Sequence, residues 1–185
     1  TQLLEANTLN GGQLRIAASD TICRYFLVPY LNKFHKLYPN VHIKVTNSTS
    51  IDCARILENG QVDFIITNYP NSGLLNTHSV RAIREFRDVF VASADHFPLR
   101  DKTFTLAELL DYPIMMLDRK STTSEFLHSM FQKSHLDLVP EIELSSNDLL
   151  IDLARIGLGI AFVPDFCIPK DEKQLFILKL SETLP

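Results

Sequence analysis

The chain has 185 residues, 45% of them hydrophobic and 22% charged, and carries a formal net charge of −4 at pH 7. This balance is typical of a globular protein that buries its own core. No Lys/Arg cluster is longer than a pair such as Arg119-Lys120, so the chain by itself is a poor candidate for nucleic-acid binding. No apolar run approaches the roughly 18 residues that a membrane span needs, and no signal-peptide pattern opens the sequence.

The first residue and the cysteines indicate the context of the chain. Thr1 stands where a start methionine would be, which indicates a processed or excised fragment. The three cysteines, Cys23, Cys53 and Cys167, are widely spaced and form no C-x-x-C pair. Because an odd set of separated cysteines is typical of reduced thiols, we expect three free thiols in a cytosolic protein.

The first part of the chain alternates strands and helices. Residues 1–12 are interpreted as the end of a preceding linker, and a strand is predicted at 14–18. Apolar residues at helical spacing then predict a helix up to Tyr38, in which Pro29 marks a kink or the start of the main body.

The next elements follow the same alternation. Residues 41–45 alternate as a half-buried strand, and a helix is predicted from about residue 50 to Asn59, with Gly60 in the stop position. The continuous apolar run at 62–66 predicts a strand covered on both faces.

The second part of the chain begins with an extended segment at 80–93 and repeats the alternation. The predicted elements are a strand at 88–93, a capping box at Thr105 and Glu108, a buried strand at 113–117, a second capping box at Thr122 and Glu125, a strand at 141–145, a helix at 149–156, and strands at 159–164 and 175–180.

This order predicts an α/β fold with two Rossmann-like lobes, whose mostly parallel sheets are joined by crossing strands. Strand–helix–strand–helix–strand occurs once before residue 70 and again between 89 and 163. We therefore divide the chain into a linker remnant at 1–12, lobe I at 13–86 and 164–185, and lobe II at 87–163.

Short polar side chains cluster at the junctions where predicted strands end and predicted helices begin. In open α/β sheets ligands lie beyond the carboxyl ends of the strands, close to helix N-termini with free N–H groups. One Ser, Thr, Asn or Asp per helix is explained as an N-cap, but runs of two to five exceed that need. The surplus predicts a polar, mostly uncharged ligand cleft between the lobes. The runs are residues 19–21, 46–50, 67–68, 121–124 and 145–147.

Four segments carry a family resemblance over nearly the whole chain: "LRIAASDTICRYFLVPYLNKFHKLYP", "ILENGQVDFII", "PIMMLDRKSTTSEFL" and "LARIGLGIAFVPD". They resemble the effector-binding domain of LysR-type transcriptional regulators, whose fold is similar to that of type 2 periplasmic binding proteins. The sequence departs from the family at Ser48, where Gly is frequent. By this resemblance the effector-contacting residues are Ser19, Thr21, Ser50, Thr67, Ser121, Thr122, Thr123 and Asn147.

The resemblance also implies the biological setting. The chain is then the sensor half of a DNA-binding regulator, whose winged helix-turn-helix lies N-terminal to the linker and outside this sequence. Family members form homodimers or homotetramers through these domains. The polar cleft suits a small anionic metabolite or oxyanion, and no metal or cofactor is expected.

Three alternatives stay open at this point. An enzyme is disfavoured because the sequence holds no H-E-x-x-H, P-loop, G-x-S-x-G or G-x-G-x-x-G pattern. An extracytoplasmic solute-binding protein would share the fold, and the free cysteines count against it. A thiol redox sensor is the third, because Cys23 and Cys53 fall near helix starts, where the helix dipole can lower a thiol pKa.

Overall fold

A computed structural model describes residues 11–182, so most of the predicted linker remnant lies outside the described residues. The chain divides into two compact units, Thr1–Ser79 and Val80–Pro185. The strands are β1 (Gln13–Ala18), β2 (His42–Asn47), β3 (Phe64–Ile66), β4 (Asp88–Ser93), β5 (Thr103–Phe104), β6 (Ile114–Leu117), β7 (Ile142–Leu144), β8 (Ile160–Pro164), β9 (Leu175–Ile177) and β10 (Lys179–Leu180). The helices are α1 (Asp20–Ile22), α2 (Val28–Leu37), α3 (Ser50–Glu58), α4 (Leu106–Leu109), α5 (Thr122–Lys133) and α6 (Asn147–Arg155).

The first unit is built on a parallel three-stranded sheet in the order β2-β1-β3. The central strand β1 ends in Ile16, Ala17 and Ala18, all buried. Cys53 and Ile56 of α3 pack against this strand and complete a small core. Since all three strands run the same way, their carboxyl ends lie at one edge of the sheet, and this part of the predicted α/β class is confirmed.

The first long helix is interrupted, as Pro29 predicted. A π-helical turn at Cys23–Leu27 separates α1 from α2, and Val28 donates its N–H to the Cys23 carbonyl. Pro29 then stands in the first turn of α2. Proline has no N–H, and its ring excludes the carbonyl of the preceding turn, so the regular helix begins beside it. The sequence predicted either a kink at Pro29 or the start of the main helix body there, and the structure shows the second.

Strand β3 differs from its prediction. The apolar run at 62–66 predicted a strand covered on both faces, whereas β3 is an edge strand in the described part of the chain and leaves Phe64 40% exposed. A strand that pairs on one side only has fewer neighbours to cover its side chains. The continuous apolar run therefore led to an overestimate of how far the side chains of β3 are buried.

The second unit carries a five-stranded sheet in the order β7-β6-β8-β4-β9. Strand β6 runs parallel to β7 and β8, whereas β4 runs antiparallel to β8 and β9. The core clusters around large buried side chains, among them Phe90, Phe104, Phe131 and Phe162. The strands predicted in this region are all present. Four of the five strands of this sheet run in the same direction and β4 runs against them, which agrees with the prediction of mostly parallel sheets.

The last strand lies in the second unit, in contrast to the prediction that residues 164–185 return to lobe I. Strand β9 pairs with β4, and β10 pairs with β5 in a separate two-stranded sheet. Phe176 and Leu178 are buried in the core cluster of this unit, which explains the pairing. The unit boundary also falls after Ser79 rather than after residue 86.

Helix starts follow the capping rules, with two shifts in position. The Thr105–Glu108 capping box is confirmed in both directions at α4. At α5 the N-cap is Ser121 rather than Thr122, and Ser121 Oγ accepts from the Ser124 N–H, so the second capping box is wrong. At α6 the helix begins earlier than predicted, because Ser146 caps it.

Asp88, the first residue of β4, has a carboxyl group with a buried oxygen atom, Oδ1. This atom has no hydrogen-bond partner among residues 11–182. Burial, and then repulsion from Asp165, raises the pKa of Asp88 to about 7. Because burial disfavours the charged carboxylate, the folded protein keeps this proton at pH values where the unfolded chain has lost it.

We therefore expect stability to fall as the pH rises from about 4 to about 7, where the folded state binds more protons than the unfolded state. The Asp88→Asn variant should lose this component and be about 2 kcal/mol more stable than wild type at about pH 8, with little difference at about pH 4. Urea unfolding across this range measures the effect. The exposed Asp101→Asn variant is the control, and equal pH slopes for wild type and Asp88→Asn would contradict the assignment.

Candidate functional site

The carboxyl edge of the first sheet brings together the predicted contact residues of the first unit. Ala18 at the end of β1 is in register with Asn47 of β2 and Ile66 of β3. Ser19, Ser50 and Thr67 each follow shortly after one of these strand ends. The structure therefore places these residues, with Thr21, at one edge of one sheet.

Helix capping accounts for some of these side chains and not for others. Ser19 caps α1, its Oγ accepting from the Ile22 N–H at 3.3 Å. At α3 the cap is Thr49, whose Oγ1 accepts from the Asp52 N–H at 3.2 Å. Ser50 stands one residue inside the helix and is only 5% exposed. Capping therefore does not explain the polar side chain of Ser50.

Asn71 joins two of the predicted contact turns, and sequence reasoning missed it. Its side chain is buried, and its Nδ2 donates to the Ser50 carbonyl and to Thr67 Oγ1, each at 2.8 Å. Its Oδ1 accepts from the Gly73 N–H at 2.9 Å. Asparagine in a segment with Pro and Gly is typical of a turn, so its identity alone gave no signal of this bridging role.

The second unit presents a similar edge. Leu117 of β6 is in register with Leu144 of β7, and the Asp118 N–H donates to the Leu144 carbonyl at 2.9 Å. Helices α5 and α6 start just beyond these strand ends. The predicted contact residues of this unit, Ser121, Thr122, Thr123 and Asn147, therefore lie at the carboxyl ends of neighbouring strands.

Capping divides the second group in the same way as the first. Ser121 caps α5 and also donates its hydroxyl proton to the Asp118 carbonyl at 3.0 Å. Ser146 caps α6 at 3.2 Å. Thr122 and Asn147 are the first residues inside their helices, and both are buried.

One pattern recurs at three helices. Ser50, Thr122 and Asn147 each directly follow the capping residue and are each less than 8% exposed. Apolar side chains are the usual choice for buried positions, and a cap needs only the preceding residue. The polar surplus is thus concentrated at the first helical position, beside the N–H groups that a helix start leaves without intrahelical partners.

Two of the cysteines lie at the first edge, where their thiols donate hydrogen bonds to backbone carbonyls. Cys23 Sγ donates to the Ala18 carbonyl at 3.9 Å, and Cys53 Sγ donates to the Ser48 carbonyl at 3.6 Å. Burial and nearby carboxylates raise the pKa of the Cys23 thiol, and raise that of Cys53 to about 11. These shifts run in the opposite direction to the lowering that the sequence suggested, so they do not favour a reactive thiolate at either residue. All three cysteines are free, as predicted.

The predicted contact residues at both edges are neutral hydrogen-bond donors and acceptors, and a carboxylate also stands in the first turn of each helix that begins there: Asp20, Asp52, Glu125 and Asp148. Among residues 11–182 no group of three His, Cys, Asp or Glu side chains is arranged to hold a metal ion. Within the same residues no helix has the length and apolar character to cross a membrane. Helix N-termini with hydroxyl and amide neighbours are suited to negatively polarised oxygen atoms.

Two α/β units, each with polar helix starts at the carboxyl edge of its sheet, define a fold of the type 2 periplasmic-binding-protein class. The sequence matches the LysR substrate binding domain over residues 7–185, and the chain belongs to that family. The resemblance found in the sequence is thereby confirmed.

Individual relatives agree with this assignment. The chain is 28% identical over 155 residues to the HTH-type transcriptional activator CmpR of Synechocystis, covering 84% of this chain and 50% of CmpR. The chain spans about half the length of the curated relatives it matches.

Solved structures share the fold, among them two domains with a bound small molecule. The regulatory domain of CcmR from Synechocystis PCC6803, in complex with 2-PG, matches with a TM-score of 0.73 and 22% identity, covering 92% of this chain and 81% of that one. The effector-binding domain of QuiR, in complex with shikimate, matches with a TM-score of 0.74 and 16% identity, covering 95% and 83%. Both ligands belong to those proteins, and at these identities the likeness concerns the fold.

Proposed function

We propose that this chain is the effector-sensing domain of a LysR-type transcription regulator in the cytoplasm. It binds a small anionic metabolite or oxyanion, forms a homodimer or homotetramer, and reaches DNA through an N-terminal domain of a longer protein. The domain senses rather than catalyses, and it needs no cofactor. The binding location predicted from the sequence, a cleft between the lobes, stays a prediction.

The observation that carries the proposal is the buried polar residue directly after each cap at α3, α5 and α6. These are Ser50, Thr122 and Asn147. A helix start offers N–H groups and a positive dipole end, which favour an anionic oxygen. A neighbouring hydroxyl or amide adds a hydrogen bond without adding charge. Membership of the LysR substrate binding domain family supports a transcription regulator rather than an extracytoplasmic solute-binding protein.

Exposed apolar side chains on α2 support self-association. Val28, Tyr30 and Leu37 are each more than half exposed, although α2 repeats its apolar residues at helical spacing. Large exposed apolar and aromatic side chains grouped on one element are typical of protein interfaces. A homodimer or homotetramer would cover them.

A thermal-shift screen of small carboxylates, phosphate and sulfate tests the sensing function. An anion present at about 100 times its Kd should add roughly 2.7 kcal/mol to stability. We expect the Thr122→Val variant, which keeps the shape and loses the hydroxyl, to respond about tenfold more weakly, since a hydrogen bond to a charged group is worth about 1.5–3 kcal/mol.

The exposed Thr103→Val variant in the same unit is the control and should respond as wild type does. If no anion stabilises the wild-type chain, the sensing proposal fails. If Thr122→Val and Thr103→Val respond equally, the assignment of Thr122 to the effector site fails.

A further inference from the structure

The side chain of Asn71 uses both amide protons and its carbonyl oxygen in hydrogen bonds that connect two turns of the first unit. Its two amide protons go to the Ser50 carbonyl and to Thr67 Oγ1, and its own carbonyl accepts from Gly73. The start of α3 and the end of β3 are thereby connected through one buried side chain. A packed contact supports this loop, since a side chain at Gly73 would lie 2.9 Å from Ala54 Cβ.

The same bonds decide which way the Thr67 hydroxyl can act. Thr67 Oγ1 accepts from Asn71 Nδ2 at 2.8 Å and donates its single proton to the Asn68 carbonyl at 3.1 Å. A threonine hydroxyl has one proton and two lone pairs. One lone pair is left, so Thr67 can accept one more hydrogen bond and has no second proton to donate.

Ser19, at the same sheet edge, is arranged differently. Its Oγ accepts from the Ile22 N–H, and no residue among 11–182 takes its proton. Ser19 can therefore donate to a negatively charged oxygen, as can the N–H groups at the start of α3. The edge offers donors at Ser19 and an acceptor at Thr67.

We propose that Asn71 is a positioning residue that holds Thr67 as a hydrogen-bond acceptor, so that the effector must donate a hydroxyl or N–H group to Thr67. This inference rests on the proposed function and narrows the effector to a hydroxylated or amino-bearing small anion. The anionic group lies toward Ser19 and the helix starts. An anion that lacks a hydroxyl or N–H group would place an oxygen lone pair against the lone pair of Thr67 Oγ1. This repulsion lowers the affinity of such an anion.

Matched pairs of carboxylates that differ in hydroxylation test this requirement by calorimetric titration. Suitable pairs are malate with succinate, lactate with propionate, and shikimate with cyclohexene-1-carboxylate. At least one hydroxylated member should bind wild type about fivefold to tenfold more tightly than its partner. Thr67→Val should lose this preference, and Thr67→Ser should keep it, because serine retains the hydroxyl.

The Asn71→Ala variant tests the positioning role. It should bind the hydroxylated member more weakly and reduce the preference ratio, because the Thr67 hydroxyl is no longer held. Exposed Asn76→Ala, from the same loop region, is the control for folding and for binding.

Unchanged preference in both Thr67→Val and Asn71→Ala would overturn the inference, as would the absence of any preference in wild type. If the anion screen succeeds while these pairs show no preference, this inference alone fails. If no anion binds in either experiment, the proposed function fails as well. Should Asn71→Ala not fold, the comparison of Thr67→Val with Thr67→Ser still decides the acceptor role.

Discussion

The Ser50→Ala variant should bind the best anion from the screen roughly tenfold to a hundredfold more weakly and unfold at nearly the wild-type free energy. Thr49→Ala should do the reverse, losing about 1 kcal/mol of stability and keeping its affinity. The two residues are neighbours in sequence, yet only Thr49 accepts a hydrogen bond as the cap of α3. Ser50 is buried one position further on and has no capping role.

This adjacent pair separates the two explanations for surplus hydroxyls. Urea unfolding and calorimetric titration on both variants give the stability and the affinity. If Ser50→Ala loses stability while its affinity holds, Ser50 is structural and its assignment to the effector site fails. If both variants lose affinity equally, the loop as a whole, rather than the Ser50 hydroxyl, controls binding.

The order of elements could be predicted because local signals agreed with one another. Pro29 marked the start of α2, and the Thr105–Glu108 capping box marked α4. These signals depend on residues within one turn of each other, so tertiary context changes them little.

The identity of each cap within a polar run was harder to predict. The runs at 46–50 and 121–124 contain several residues able to cap a helix, and the cap is whichever stands where the strand's extended backbone gives way to the helix. That position depends on where the sheet stops pairing. The sequence therefore indicated the junction correctly but placed the α5 cap at Thr122 instead of Ser121.

Long-range pairing was the part that the sequence could not supply. The pattern at 175–180 predicts a strand but not its partner, and β9 pairs with β4 of the second unit. Asn71 was missed for the same reason. Its role depends on a contact 21 residues away, with Ser50, and no local pattern encodes that contact.

A large stability loss is expected for Gly159→Ala, at about 3 kcal/mol. Gly159 directly precedes β8, which lies between β6 and β4 in the sheet of the second unit. A methyl group at Gly159 would lie 2.6 Å from the Pro113 carbonyl oxygen and 3.0 Å from Met115 Cγ. The backbone cannot easily retreat, because the Ile160 N–H donates to the same Pro113 carbonyl at 2.8 Å.

Two other glycines provide a comparison. Gly157 has φ of +79°, and a methyl group there would meet the His96 ring. His96 Cβ would lie 2.6 Å from this methyl group and does not move when the ring rotates, and His96 Nδ1 is hydrogen-bonded to Ser93 Oγ at 2.9 Å. Gly157→Ala should therefore also cost about 3 kcal/mol, because the left-handed backbone adds to the clash. Gly11 has nothing within 4 Å of an added methyl group, so Gly11→Ala should be nearly neutral.

Urea unfolding followed by near-ultraviolet circular dichroism, with calorimetry as a second probe, measures this series. Gly159→Ala and Gly157→Ala should each lose about 3 kcal/mol, whereas Gly11→Ala should be nearly neutral. A Gly159→Ala variant as stable as Gly11→Ala would show that β6 and β8 can separate without cost, and the close approach at Pro113 would not then be a constraint on the fold.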